Sequence, residues 1–392
     1  MTADRPRRPA RYAAEPGSSP RLAHLDNLRT TLVAWVIGGH ALLGYSAVGG
    51  WAYDEVREVA FAPATELVLV AVLGPSGLFV IGLFFFIAGL FVERAVARQG
   101  PGRYARERLV RLGVPWLVSA LLVWPASVWL ADAAAGRTVS FWWVLAHRQP
   151  LLDAGSLWFA LVLLLYSLVL AGWIAVRGRP APSVGRDRSL TGRTVVLAAA
   201  AIAVSSFVVR LWFPARSGQV GDLHLWQWPQ CAGMFALGVL AARHGLQRHV
   251  PDRLYRACGA ATVLTLAGLP ALAIATGLHD VARQAGPYLG GWHWQALATA
   301  AIEAVLVVAG SVWLVGVAER RFGRGGERSS RWARGAFWAF VLQGPVLMAT
   351  ASSLRWLDLP AEVKAPLVAG VAIAACFWLG CRVTRVDRAG SP

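Results

Sequence analysis

The stretch Leu28-Arg-Thr-Thr-Leu-Val-Ala-Trp-Val-Ile-Gly-Gly-His-Ala-Leu-Leu-Gly-Tyr-Ser-Ala-Val48 is long and apolar, and it carries two ionisable side chains, Arg29 and His40. About twenty mostly apolar residues in helical form match the hydrocarbon core of a bilayer. His40 follows Arg29 by eleven positions, so on a helix both side chains share one face, separated by roughly 16 Å along the axis. An ionisable pair inside a membrane span is a functional candidate, because burying it without use is costly. The plainer alternative makes Arg29 an interfacial anchor and His40 an interhelical hydrogen-bonder.

The same pattern recurs along the chain, with apolar runs over Leu67–Val92, Leu109–Ala131, Gly155–Val176, Thr194–Phe213, Trp226–Ala242, Ala257–Leu278, Trp294–Ala318, Ala336–Leu354 and Val363–Cys381. With 56% hydrophobic and 15% charged residues over 392 positions and a mean hydropathy of +0.51, the composition is that of an integral membrane protein. The expected architecture is an all-α integral membrane bundle of about ten transmembrane helices. Gly74, Pro75 and Gly77 interrupt the second run, so a shorter helix from Leu78, preceded by an interfacial turn, is expected there.

A net charge of +17 raises the question of a nucleic-acid partner, and the distribution of the charge answers it. The arginines collect in alternate connections: Arg5, Arg7, Arg8, Arg11 and Arg21 before the first run, Arg94 to Arg111 after the second, Arg177 to Arg193 after the fourth, Arg243 to Arg256 after the sixth, and Arg320 to Arg334 after the eighth. Arg382, Arg385 and Arg388 follow the last. The intervening connections mix Arg57, Arg137, Arg148, Arg216, Arg283, Arg355 and Lys364 with carboxylates. The positive-inside rule therefore places the N and C termini in the cytoplasm, in a multi-pass protein of the cell's inner membrane whose partner is the lipid bilayer and not nucleic acid.

The expected organisation is a disordered basic arm over residues 1–24, a transmembrane domain over 25–385 and a short cytoplasmic tail over 386–392. No cleavable signal peptide is expected, because the first apolar run follows a long polar arm and lacks a convincing small-residue cleavage site. Cys231, Cys258, Cys376 and Cys381 lie within or at the ends of spans, with no CxxC pair and no histidines at metal-ligand spacing, and read as small core residues. No Gly-rich phosphate loop and no Gly-x-Ser-x-Gly elbow occurs, which argues against ATPase and serine-hydrolase chemistry. Glu303 is the carboxylate deepest in a span, so it should face a cavity or pair with an arginine. Trp158, His224, Trp226 and Trp228 fall near span ends and read first as interfacial belt, with lining of an acceptor entrance as the second reading.

Several local sequences carry a family resemblance. His24-Leu-Asp-Asn-Leu-Arg29, running on through Val36-Ile-Gly-Gly-His40, resembles the entry motif of the membrane acyltransferase-3 family. Phe84-Phe-Phe-Ile-Ala-Gly-Leu-Phe91 is similar to its aromatic and glycine-containing second helix, and Gly100-Pro-Gly-Arg-Tyr-Ala-Arg-Glu-Arg108-Leu-Val-Arg111-Leu-Gly-Val-Pro115 to its basic loop and the Arg-x-x-Arg start of its third. Leu157-Trp-Phe-Ala-Leu-Val-Leu-Leu-Leu-Tyr166 and Trp228-Pro-Gln-Cys-Ala-Gly-Met-Phe-Ala-Leu-Gly238 resemble its fourth- and sixth-helix signatures. The order of these segments carries the resemblance more than any one of them, since Arg-x-x-Arg also occurs at Arg253 and Arg256 and at Arg382 and Arg385. The nearest likeness is to the branch of glucan and sugar O-acyltransferases, in a form without the C-terminal esterase-like domain that many members carry.

What the resemblance implies is transfer of an acyl group from cytoplasmic acyl-CoA, a donor substrate and not a permanently bound cofactor, to a hydroxyl of a carbohydrate or secreted small-molecule acceptor. His40 would be the catalytic base or the acyl carrier, with Arg29 and Glu303 assisting, and Arg108 and Arg111 would bind CoA phosphates. One departure stands out: in Trp338-Ala-Phe-Val-Leu-Gln343-Gly-Pro345, Gln343 occupies a position where the family often has a histidine, and an amide cannot take a proton near neutral pH. The competing class is a multi-span exporter or flippase of a sugar or acylated metabolite, which broken paired helices and internal repeats would favour.

Overall fold

The computed structural model describes residues 22–47, 51–147, 152–178, 190–215, 223–275 and 285–389. Within these, the long elements are α1 (Ala23–Leu43), α2 (Pro63–Gln99), α3 (Pro101–Ala134), α4 (Gly155–Arg177), α5 (Gly192–Arg210), α6 (Trp228–Arg243), α7 (Asp252–Ala275), α8 (Trp294–Arg321), α9 (Glu327–Val341), α10 (Gln343–Ser353) and α11 (Ala361–Ala389). Every regular element among the described residues is helical. A chain with no water to satisfy its backbone closes its hydrogen bonds within each segment.

Six helices, α2, α3, α4, α5, α8 and α11, are long and apolar enough to cross a membrane, and the pair α9 and α10, bent by 74°, brings the number to as many as seven. The other runs expected to span coincide with α1, α6 and α7, of 21, 16 and 24 residues. Three expectations need correction. The first helix begins at Ala23, five residues before the apolar run, so residues 23 and 24 belong to the bundle and not to the arm; His24 Nε2 meets the Gln247 carbonyl at 3.1 Å. The rest of the arm, 1–21, lies outside the described residues, as do the last three residues of the tail, whose preceding part continues α11. The second helix is continuous through Pro75 for 37 residues, because losing one backbone bond costs less than unwinding a segment in apolar surroundings.

Two apolar cores hold the bundle. The first joins α2, α4, α5, α6, α7 and α8 through residues such as Phe85, Phe86, Met234, Val307 and Val312. The second joins the end of α1 to α9, α10 and α11 through Ile37, Tyr45, Phe340, Met348 and Cys376. Helix α1 belongs to both, with Leu25, Leu28 and Leu32 in the first and Val33, Ile37 and Ala41 in the second. All four cysteines are buried and free, as expected of core residues. Large apolar side chains such as Val169, Val196, Leu197 and Leu264 are exposed on the outside of the bundle, where lipid replaces water as the solvent.

Helices α2 and α6 cross at Gly89 and Gly238. A Cβ on Gly238 would lie 2.2 Å from the Phe86 carbonyl oxygen, and one on Gly89 2.3 Å from that of Phe235. Such backbone contact is how apolar helices gain packing energy when no hydrophobic effect drives them together.

Candidate active site

His40 lies three residues before the end of α1, half-buried, at the edge of the second core. Its Nδ1 is 3.0 Å from Gln343 Oε1, and Gln343 Nε2 donates to Ser156 Oγ at 2.8 Å. Gln343 is fully buried, at the start of α10, where the 74° bend from α9 turns the chain against the end of α3 and α11. The bend follows from sequence: Pro345 cannot continue the ladder of the preceding helix, and Gly344 lets the backbone sit against Ser127, whose Oγ would be 3.0 Å from a Cβ there.

With the amide nitrogen committed to Ser156, the amide oxygen faces the imidazole and accepts from Nδ1–H. That tautomer leaves a lone pair on Nε2. The two residues named together at the sequence level, the motif histidine and the glutamine that departs from the family pattern, are therefore hydrogen-bonded to each other.

Aromatic rings wall the imidazole. Trp51 stacks on His40 with centroids 4.3 Å apart and planes 12° apart, and Trp124 meets Trp51 edge-on at 5.2 Å. Trp124 Nε1 donates to Asp153 Oδ2 at 2.6 Å, and Asp153 Oδ1 accepts from the Gly155 amide at 2.7 Å. Gly155 has φ +55 and its missing Cβ would stand 2.4 Å from the Trp124 ring, so both conformation and space require glycine.

Trp124 is placed by an irregularity in α3. Two π-helical segments, Leu109–Gly113 and Ser119–Val123, interrupt it. Each is followed at the second residue by proline, Pro115 and Pro125. A helical proline clashes with the carbonyl four residues back, here Arg111 and Leu121, and the wider π turn relieves that clash at both places.

Trp51 is held from the other side by charge. It precedes a short turn, Ala52–Glu55, and Glu58 ties this segment to the helices behind: Lys364 Nζ, buried in α11, lies 2.7 Å from Glu58 Oε1, and Tyr53 donates to Glu58 Oε2 at 2.8 Å. Arg355 adds a bond to the Val56 carbonyl at 2.5 Å. Burial works to raise the Glu58 pKa, but the bonds from Lys364, from the Glu58 backbone amide and from Tyr53 together outweigh it and hold the carboxylate below its usual range.

The other expected site residues sit elsewhere. Arg29 bonds Asp26 at 3.2 Å and is 43% exposed. Arg108 lies over the Tyr104 ring at 5.0 Å, and exposed Arg111 pairs with Glu107 at 2.9 Å. Glu303 pairs with Arg210, both buried. Arg29, Arg108, Arg111 and Glu303 make their contacts away from His40; the side chain hydrogen-bonded to it is Gln343, whose role the sequence left in doubt. Trp158 and Trp226 prove buried and inward-facing, which overturns the belt reading for them: the bundle, not the lipid interface, needs their rings. Sequence reasoning missed Trp51, Trp124, Asp153, Ser156 and Arg210. Arg210 had a signal, as the one basic residue in the run Thr194–Phe213.

The family model of an acyltransferase domain, acyltransferase 3, matches residues 22–383. The chain belongs to the acyltransferase-3 family. No curated protein and no solved structure matches it. The matched range runs from the start of α1 almost to the end of α11 and takes in every member of the His40 cluster. Membership makes the chain a membrane acyltransferase, and His40 with a lone pair on Nε2 is a group of the type acyl transfer needs.

Proposed function

We propose that this membrane acyltransferase moves an acyl group from cytoplasmic acyl-CoA to a hydroxyl of a carbohydrate or secreted small-molecule acceptor on the far side of the inner membrane, with His40 as the catalytic group. The observation that carries the reading is the hydrogen bond from His40 Nδ1 to Gln343 Oε1, with the amide anchored on Ser156. It orients the ring and leaves Nε2 free to take a proton.

In the simplest course, Nε2 accepts the acceptor's hydroxyl proton as its oxygen bonds the thioester carbonyl carbon. The C–S bond then breaks, and the departing CoA sulfur takes the proton from the imidazolium, which returns His40 to its starting form. The alternative course has Nε2 attack the carbonyl first and carry the acyl group to the acceptor. Gln343 serves both, as a neutral acceptor that stabilises the Nδ1–H form. Arg29, Arg108 and Arg111 stand at the basic end of the bundle, and a guanidinium matches a phosphate of CoA geometrically. The ion pairs of Arg29 with Asp26 and of Arg111 with Glu107 are exposed or half-exposed, so phosphate can exchange for carboxylate at little cost.

The test compares O-esters on envelope glycans and secreted metabolites, by mass spectrometry, in cells lacking the protein, cells expressing it and cells expressing His40→Ala at equal membrane abundance. The reading expects an ester that is lost in the null and is not restored by His40→Ala. Full restoration by the variant would reject the role of His40. A compound trapped inside null cells, with no ester changed, would replace acyl transfer by export.

A further inference from the structure

Among the described residues, chemistry at His40 leaves unused the buried pair of Arg210 and Glu303. Arg210 ends α5 and is 1% exposed, with its guanidinium 5.0 Å from the Trp226 ring. Glu303 comes from α8, and Trp226 and Gln227 from the turn that leads into α6. One guanidinium nitrogen, Nη2, serves Glu303. Arg210 Nε and Nη1, Trp226 Nε1 and Gln227 Oε1 are buried and meet no hydrogen-bond partner among the described residues. Three donors and one acceptor thus stand unpaired at the end of α5 and in the α6 turn, although buried polar groups are nearly always paired.

Two further observations mark the same corner. Trp158 stacks on His224 at 4.6 Å and 16°, and His224 lies 6.4 Å from Trp226. His224 has φ +49, alone among the described non-glycine residues in the left-handed region, and such strain gathers at ligand sites. Trp158 is also two residues from Ser156, the group that anchors Gln343, so this corner adjoins the His40 cluster.

We propose that Arg210, Trp226 and Gln227 form a binding site for a neutral, hydroxyl-bearing ligand of the sugar or polyol class. The charge arithmetic selects neutrality: Glu303 already balances Arg210, and a second buried anion would leave the site with an unpaired charge. The donor and acceptor pattern selects hydroxyls, since one hydroxyl oxygen accepts from an N–H and donates to an amide oxygen at once. Joined to the His40 cluster through Trp158 and Ser156, the site holds the acceptor of the transfer, a role that rests on the function proposed above.

The experiment uses the full chain in lipid nanodiscs, without acyl donor, and reads saturation-transfer NMR from a mixture of neutral methyl glycosides of glucose, galactose, mannose and N-acetylglucosamine, with glucuronate as the anionic control. Binding of at least one neutral glycoside is expected, weakened about tenfold in Trp226→Phe and in Gln227→Leu, which each remove one hydrogen-bonding group and keep most of the side-chain volume. Transfer to no neutral glycoside, undiminished transfer in both variants, or transfer to glucuronate alone would overturn the site. His40→Ala separates the two readings: it leaves this binding in place, whether or not it abolishes acyl transfer. Binding that depends on Trp226 and Gln227 in a protein that acylates nothing keeps the site and rejects its acceptor role.

Discussion

Replacing Gln343 by leucine removes the group that holds His40 in its Nδ1–H form and keeps a similar volume in a fully buried position. The hydrogen bond at stake is 3.0 Å long, and a bond of that kind contributes about 1 to 1.5 kcal/mol net. Without it the two neutral tautomers become comparable, and Nε2 loses its lone pair in a large share of molecules. A bond of about 1.4 kcal/mol holds roughly nine in ten molecules in the Nδ1–H form, so if only that form reacts the turnover number falls by about twofold. The Michaelis constant for acyl-CoA should hold, because Gln343 contacts His40 and Ser156 and no expected CoA residue. Gln343→Glu keeps an acceptor facing Nδ1 and should retain more of the rate than Gln343→Leu. The assay is release of CoA thiol from acyl-CoA by purified protein, with kcat and KM measured separately. A Gln343→Leu protein with the parental kcat, or one whose defect lies wholly in KM, would refute the tautomer argument.

Other expectations follow from the surrounding packing. Glu303→Gln or Arg210→Gln alone should lower thermal stability strongly, by about 3 to 5 kcal/mol, as breaking a buried pair does; the double variant should recover part of the loss, and failure to recover would show that the two do not act as a pair. Gly155→Ala should cost at least about 1 to 2 kcal/mol from its left-handed backbone alone, with more from the Trp124 ring 2.4 Å from the new Cβ; an unchanged melting temperature would refute the placement of Trp124. Glu58 has a folded pKa below its ordinary 4.5, so its contribution to stability is present above that value and is lost as pH falls through the folded pKa. Melting curves from pH 6 down to about 3 should therefore show a decline that Glu58→Gln flattens, and equal slopes in both proteins would contradict the Lys364 and Tyr53 contacts.

The helical architecture was legible because a bilayer leaves so few solutions: apolar runs of sufficient length become helical, although the run Ala336–Leu354 is split between α9 and α10 by a 74° bend. Its details were less legible because they depend on how local breaks are resolved. Pro75 looked like an interruption and lies inside a continuous α2, while Gly344 and Pro345 follow a real bend. The difference is context: Gly74 meets nothing within 4 Å, whereas Gly344 packs on Ser127 and Trp124. The π turns of α3 could be anticipated only by pairing each proline with the carbonyl four residues earlier.

At the candidate site, His40 and Gln343 were readable from motif and departure, though not as partners, because 303 positions separate them in the chain. Trp51 and Asp153 sit in connections with no periodicity to mark them. Trp158 and Trp226 misled because a tryptophan near a span end has the same sequence signature whether it faces lipid or the bundle.

The most direct test of the account is made on purified protein in sealed vesicles, offered acetyl-, propionyl- and succinyl-CoA together with a neutral glycoside, with free CoA thiol and glycoside ester measured in the same reaction. The account predicts that thiol and ester appear in equal amounts with the parent protein and fall by about a hundredfold or more with His40→Ala. Ester formation by His40→Ala at the parental rate would contradict it.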